Sequence, residues 1–175
     1  EPVNNAASFV LGDSDGGLVV LSGATDITNG VWHHVVAVRD RSAGANGQNL
    51  LYVDGQLDVA ALDATYNDGF YSATAELNIG YWNFQSTTPS NHLGGKIDEV
   101  ALYDRALTAA EIEDHYNDGL AGRDYCLSSA AFVPFPDDTI SLWNLDEANG
   151  PDYVDSFNGN DGTGNADPTA VTGQI

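Results

Sequence analysis

The chain has 175 residues and carries 26 Asp and Glu residues against 5 Lys and Arg residues, which gives a net charge of −21. A field of this sign repels nucleic acid and anionic membrane surfaces, so both are poor partner candidates. Hydrophobic residues make up 42% of the sequence, enough for a real core, but no apolar run reaches the length of a membrane span.

The first half of the chain predicts short antiparallel strands separated by turns. Asp54-Gly55 is the strongest hairpin signal, because both residues accept the positive φ angles of a tight turn between strands. Further strands are predicted at 7–12, 17–21, 31–38 and 75–82.

A long strand, a turn and a short helix near residues 108–117 are predicted for LGGKIDEVALYDRALTAAEIEDHY. The strand part is mostly apolar on both faces, with Asp98 on one face and Glu99 on the other. A carboxylate on a buried face is costly unless a positive or hydrogen-bonding group meets it. Thr108 followed by Glu111 is a capping-box pattern, which marks the start of the helix.

Three ordered motifs carry a resemblance to a known family. GKIDEVALYDRALTAAEI resembles the closing signature of bacterial laminin G-like (concanavalin A-like) jelly-roll modules, and GVWHHVVAVRD and LLYVDGQL resemble their two central motifs. The resemblance implies an all-β fold, a two-sheet antiparallel jelly-roll sandwich, in proteins that are secreted or exposed at the cell surface. It implies a non-catalytic module of adhesion or of matrix or filament assembly. The alternative is a carbohydrate-binding module attached to a secreted hydrolase.

The predicted domain organisation has three parts. Residues 1–120 form the sandwich without its early strands, 121–138 form a linker, and 139–175 resemble the opening of another module. Three explanations stay open: a seam between tandem modules, a circular permutation, or a segment that donates strands to a neighbouring copy in a filament. Neighbouring copies or other surface proteins are the expected partners, and glycans are possible ligands.

The loop DSFNGNDG, which starts at Asp155, is dense in the oxygen ligands that Ca²⁺ prefers. The resemblance implies a structural calcium ion held by Asp155, Asn158 and Asn160 together with Asp98. The alternative is a solvated Asn and Gly turn with a hydrogen-bonded Asp98. Asp98 and Asp155 meet in the permuted arrangement, whereas in a simple tandem they belong to different modules.

Aromatic residues around two irregular stretches are candidates for sugar binding, since flat rings beside amides suit the apolar faces and hydroxyls of sugars. The candidates are Tyr81, Trp82, Phe84 and Tyr71. By contrast, we assign Trp32 and Trp143 to the core. His33 and His34 are adjacent strand residues that point to opposite faces, so packed or hydrogen-bonded histidines are expected rather than a metal site.

Catalysis is not expected from the sequence. Glucanases that share this jelly roll carry paired acids at the spacing E-x-D-x-x-E on one strand. None of the glutamates in this chain has that spacing, and no serine-hydrolase, phosphate-loop or zinc-protease motif is present.

Overall fold

The structure is a computed structural model that describes residues 5–12, 18–62, 77–82, 90–123, 139–145 and 152–163. Its elements are β1 (Ala6–Gly12), β2 (Leu18–Asp26), β3 (Val35–Asp40), β4 (Gln48–Val53), β5 (Gln56–Leu62), β6 (Tyr81–Trp82), β7 (Ser90–His92), β8 (Val100–Tyr103), α1 (Ala109–Leu120), β9 (Thr139–Trp143), β10 (Asp152–Tyr153) and β11 (Gly162–Thr163). The described strand pairs are antiparallel, which confirms the prediction of an all-β fold with one short helix.

The chain divides into two compact units. One contains Glu1–Ala73, Arg105–Val133 and Ile175, and the other contains Thr74–Asp104 and Pro134–Gln174. The predicted domain limits at residues 120 and 138 stay a prediction. Strands β8 and β9 lie on either side of these limits, and both belong to the second unit.

Strands β1 and β2 form the first hairpin, as the sequence predicts. Val10 lies opposite Val20, and Leu11 lies opposite Val19. Side chains alternate across the hairpin, so Leu11 and Leu21 are buried on its inner face.

The second sheet of this unit has the strand order β3-β4-β5. The predicted hairpin at Asp54 and Gly55 is confirmed, with φ angles of 53° and 75°. Strand β3 begins at Val35, later than predicted, because Val35 pairs with Val53, the last residue of β4, so β4 offers no partner to earlier residues. Trp32 therefore precedes the sheet and is 37% exposed, so its assignment to the core was wrong.

The β1–β2 hairpin meets the second sheet at Gly23 and Asp58. The pairing of β4 with β5 shifts between Leu51 and Tyr52, which leaves Asp58 as an extra residue on β5. Its carboxylate accepts hydrogen bonds from Ala24 N (2.8 Å) and from the backbone and hydroxyl of Thr25 (3.1 and 2.7 Å). Asp58 thus holds β2 against β5.

We predict that Gly23→Ala destabilises the protein by about 1–3 kcal/mol, the usual cost of overpacking a tight site. An added Cβ would clash with the Asp58 carboxylate and lie 3.0 Å from the carbonyl oxygen of Ala7. Urea unfolding measures the effect. Gly119→Ala is the matched control, since an added Cβ in α1 meets nothing within 4 Å there. Equal unfolding midpoints for the two variants would contradict this packing.

Helix α1 begins at the predicted capping box. Thr108 accepts from Glu111 N (3.3 Å), and the Glu111 carboxylate accepts from Thr108 N (2.8 Å). The same carboxylate receives both terminal nitrogens of Arg105 (2.9 and 2.6 Å). On the inner side of the helix Ile112 and His115 are buried.

In the second unit, β8 pairs with β9 of the same chain, with Ala101 opposite Leu142 and Val100 opposite Trp143. The predicted long strand before Val100 is wrong, because Glu99 has a φ of +49° that strand geometry does not allow. A strand was also predicted at residues 75–82. Within the described residues 77–82, only Tyr81–Trp82 (β6) forms a strand. Trp143 is 6% exposed, which confirms its place in the core.

Candidate functional site

The candidate site lies on the edge of β9 that faces away from β8. Residues 155–160, which we call the β9-edge loop, run along this edge. Ser156 N donates to Leu142 O (2.8 Å), and Leu142 N donates to the Asp155 carboxylate (2.8 Å). Trp143 also forms an isolated antiparallel bridge with Asp155. The loop therefore supplies to β9 the hydrogen bonds that a neighbouring strand would otherwise supply.

The Asp155 side chain is the centre of this loop. The residue is 5% exposed, and its Oδ1 accepts from Leu142 N and Phe157 N (2.9 Å) while its Oδ2 accepts from Asn160 N (3.0 Å). Burial raises the pKa of this carboxyl, but the backbone donors, with a hydrogen bond to Ser141, outweigh it and lower the pKa to about 2. Asp155 is thus an ionised acceptor whose charge is compensated by N–H groups.

The two predicted asparagine ligands also bond to β9. Asn158 Nδ2 donates to Ile140 O (2.7 Å), and Asn160 Nδ2 donates to Ser141 Oγ (2.7 Å). The carbonyl of Asn160 accepts from Trp143 Nε1 (3.0 Å). Three of the four predicted calcium ligands, Asp155, Asn158 and Asn160, are therefore brought together in one hydrogen-bonded loop.

Asp98, the fourth predicted ligand, lies two residues before β8 in the same unit and is half-buried. Within the described part of the chain, no group of three or more His, Cys, Asp or Glu side chains is placed to hold a metal ion. Backbone N–H donors already offset part of the cost of burying the Asp155 carboxylate. The calcium site stays a prediction.

The paired histidines are hydrogen-bonded and packed, as the sequence suggests, although they precede β3 rather than lie in it. His33 bonds through Nδ1 to the Asp54 carboxylate (2.8 Å) and through Nε2 to Asn29 Oδ1 (3.0 Å). The ring of His34 stacks on Tyr116 of α1, with the centroids 6.2 Å apart.

The predicted sugar-binding residues are only partly covered by the described structure. The ring of Tyr81 contacts His92, with centroids 5.8 Å apart. The backbone of Trp82 belongs to β6, but its side chain lies outside what the structure describes, as do Phe84 and Tyr71. Sugar binding at these residues stays a prediction.

The hydrogen-bonding roles of Asp155 and Asp58 were not predicted from the sequence. A local signal was available for Asp155, since its bond to Phe157 N, two residues on, is the Asx-turn pattern typical of Asp followed by a turn. No comparable signal marks Asp58, whose partners in β2 lie more than 30 residues away.

The chain was compared with protein families, with curated proteins and with solved structures. Residues 2–113 match the family model described as the Concanavalin A-like lectin/glucanases superfamily. A search of curated proteins finds no match. Among solved structures, residues 221–444 of an S-layer domain-containing protein from Clostridium thermocellum ATCC 27405 align at 25% identity, with a TM-score of 0.41. That alignment covers 57% of this chain and 46% of that chain.

In the described part of the chain, no helix has the length and apolarity that a membrane crossing needs. The family match spans more than half of the chain, and it contains both central motifs and the whole closing motif that carry the sequence resemblance. The chain therefore belongs to the laminin G-like family of the Concanavalin A-like lectin/glucanases superfamily, whose fold is a jelly-roll β-sandwich.

Proposed function

We propose that this chain is a non-catalytic module of the extracellular surface that takes part in adhesion or in matrix assembly. The family supplies the fold but not the activity, because the superfamily contains both lectins and glucanases. The ionisation of the acidic residues favours the non-catalytic role.

The main supporting observation is the direction in which the carboxyl pKa values move. The pKa values of the carboxyl groups of Asp26, Asp40, Glu111 and Asp155 are all displaced downward. Glycoside hydrolysis by paired carboxyls needs one acid whose pKa is raised, so that it keeps a proton to donate. Asp155 and Glu111 are instead ionised at neutral pH and accept structural hydrogen bonds.

The charge of the chain supports an exterior location. A net charge of −21 produces strong self-repulsion, and external salt and divalent cations screen it. The same charge disfavours any role on nucleic acid or on an anionic membrane surface.

Two measurements test the proposal. The protein, incubated with a panel of β-glucans and other polysaccharides, should release no reducing ends above a heat-denatured control. Antibody labelling and protease treatment should reach the protein on intact producing cells. Catalytic turnover of any polysaccharide, or labelling only after the cells are permeabilised, would contradict it.

Carbohydrate binding is a second candidate function, favoured by the exposure of Trp32. This indole is 37% exposed and follows Asn29, whose side chain is already oriented by hydrogen bonds from His33 and Val31 N. A glycan array with wild-type protein and the Trp32→Ala and Tyr81→Ala variants distinguishes a platform at the exposed Trp32 from the predicted platform at Tyr81. Loss of a specific signal in either variant identifies the platform, and the absence of any specific signal removes this candidate.

Calcium stabilisation is a separate part of the proposal and has its own test. If Asp98, Asp155, Asn158 and Asn160 hold a calcium ion, chelation by EGTA should lower the melting temperature, and added Ca²⁺ should restore it but Mg²⁺ should not. An Asn158→Ala variant should lose this dependence. Identical melting curves with EGTA and with Ca²⁺ would leave the hydrogen bonds of Asp155 as the whole explanation of its burial.

A further inference from the structure

The outer face of the β1–β2 hairpin is apolar and exposed. Val10, Leu18 and Val20, which we call the outer apolar face, are 48%, 66% and 54% exposed. Val10 lies directly opposite Val20, and Leu18 lies opposite Gly12, so the three side chains share one side of the hairpin. The solvent-facing side of an antiparallel sheet is normally polar, so this composition is unusual.

The outer apolar face is also free of charge. No charged residue occurs in Ala6–Gly12 or in Leu18–Thr25, although the chain carries 26 acidic and 5 basic residues. A basic partner would find no carboxylate within Ala6–Gly12 or Leu18–Thr25 to pair with, and a buried unpaired charge is strongly unfavourable. The complementary partner is therefore itself an uncharged apolar strand surface, and the same face of a second copy has this chemistry.

Within the described residues, one edge of β1 has no strand beside it, which makes such pairing possible. Among the described strands, β1 is hydrogen-bonded to β2 alone. The register shift of the hairpin falls between Ala6 and Ser8, so Ser8–Gly12 is a regular run. It contains no proline and no charge, the features that usually protect an edge strand from pairing with another chain.

We propose that two copies of this chain associate through antiparallel pairing of their β1 strands, with Val10 of one copy opposite Val10 of the other. A twofold axis at this position places Ser8 opposite Gly12 of the second copy and joins the two outer apolar faces into one surface. The inference rests on the proposed assembly role for its biological meaning and adds the surface through which copies meet. It also implies a closed pair rather than an open filament.

The net charge of the chain predicts how dimerisation depends on ionic strength. Two copies of a chain with a net charge of −21 repel each other, and salt screens that repulsion. Self-association through an uncharged face should therefore strengthen as salt is added. Association with an oppositely charged partner would weaken instead.

Sedimentation velocity of the full chain over a range of protein concentrations, at low and at high NaCl, tests the proposal. The wild type should show a monomer–dimer equilibrium that shifts toward dimer at high salt. Val10→Lys should weaken dimerisation by about tenfold or more, because the twofold pairing places the two lysines directly opposite each other. Leu62→Lys is the matched control, since Leu62 is 67% exposed on β5 and lies outside the outer apolar face. A monomer under all conditions, or equal effects of the two substitutions, would overturn the proposal.

Cross-linking tests the register directly. In a Cys126→Ser background, Val10→Cys should form a disulfide-linked dimer on mild oxidation, since directly opposed residues of antiparallel strands have the Cα separation that a disulfide needs. Leu62→Cys should not cross-link above the background. Equal yields for the two cysteines would reject the register. This failure would leave the proposed surface role untouched, because that role is tested by turnover and by labelling of intact cells.

Discussion

Asp155→Asn should lower the free energy of unfolding by about 3 kcal/mol, the order expected when a buried charged acceptor is lost and its donors stay buried. The wild-type carboxylate accepts from the backbone N–H groups of Leu142, Phe157 and Asn160. An asparagine offers one oxygen and turns an NH₂ group toward the remaining donors. Urea unfolding followed by tryptophan fluorescence and by circular dichroism measures the loss.

The control for this substitution is Glu113→Gln, which removes the same charge from an exposed position of α1. It should change stability little. If both variants unfold at the same urea concentration, general charge repulsion rather than the hydrogen bonds of Asp155 sets the stability. The contribution of Asp155 should also vanish in acid: its pKa is lowered to about 2 from 3.8, so the stabilisation is present above pH 3.8 and is lost as the pH falls toward 2.

The second large effect is expected at moderately acidic pH and comes from His34. Burial lowers the pKa of His34 to about 4, with a further lowering from His115, while Asp54 acts in the opposite direction. The unfolded chain takes up this proton near its ordinary pKa of 6.5. The stability linked to neutral His34 is therefore fully present above pH 6.5 and is lost as the pH falls through the range down to about 4.

The cost should be about 2 kcal/mol between about pH 7.5 and about pH 5, from the difference between the two pKa values. Other charges on and next to α1 act on the same contact. The pKa of His115 is lowered by burial, against the opposing effects of Glu111, Asp118 and Asp114, while Arg105 lowers it further. Protonation of His115 as the pH falls also destabilises the folded state, so His115 adds to the acid sensitivity.

His34→Phe tests this prediction, because it keeps an aromatic ring against Tyr116 and removes the titrating group. The urea midpoint of the variant should change less between about pH 7.5 and about pH 5 than that of the wild type, by roughly the contribution of one buried histidine. His92→Phe is the control, since His92 is exposed. An unchanged pH dependence in His34→Phe would show that other groups control the acid response.

The sequence predicted the turn and the helix cap correctly, because each is formed by residues that are close together in the chain. Asp54-Gly55 forms the expected turn because both residues adopt positive φ angles, and Thr108 with Glu111 caps α1 within a single helical turn. The motifs also predicted the family, which the match to residues 2–113 confirms.

The features that the sequence did not predict depend on contacts between distant residues. Glu99 interrupts the predicted strand with a left-handed backbone that no local pattern indicates, and Trp32 is exposed because β4 ends at Val53. Similarly, the donors around Asp155 include Leu142, 13 residues away. An acidic, Asn-rich loop suggests calcium by composition, and only the positions of its N–H groups reveal an alternative that needs no cation.

Pairing between β8 and β9 within one chain underlies the description of the β9-edge loop and of its unit. Isotope-filtered NMR on a mixture of differently labelled copies measures this pairing most directly, because it separates contacts within a chain from contacts between chains. We expect cross-strand proton contacts between Ala101 and Leu142, which lie opposite each other, in the intramolecular spectrum alone. The same contacts in the intermolecular spectrum would show that β9 is donated to another copy, and would contradict the account.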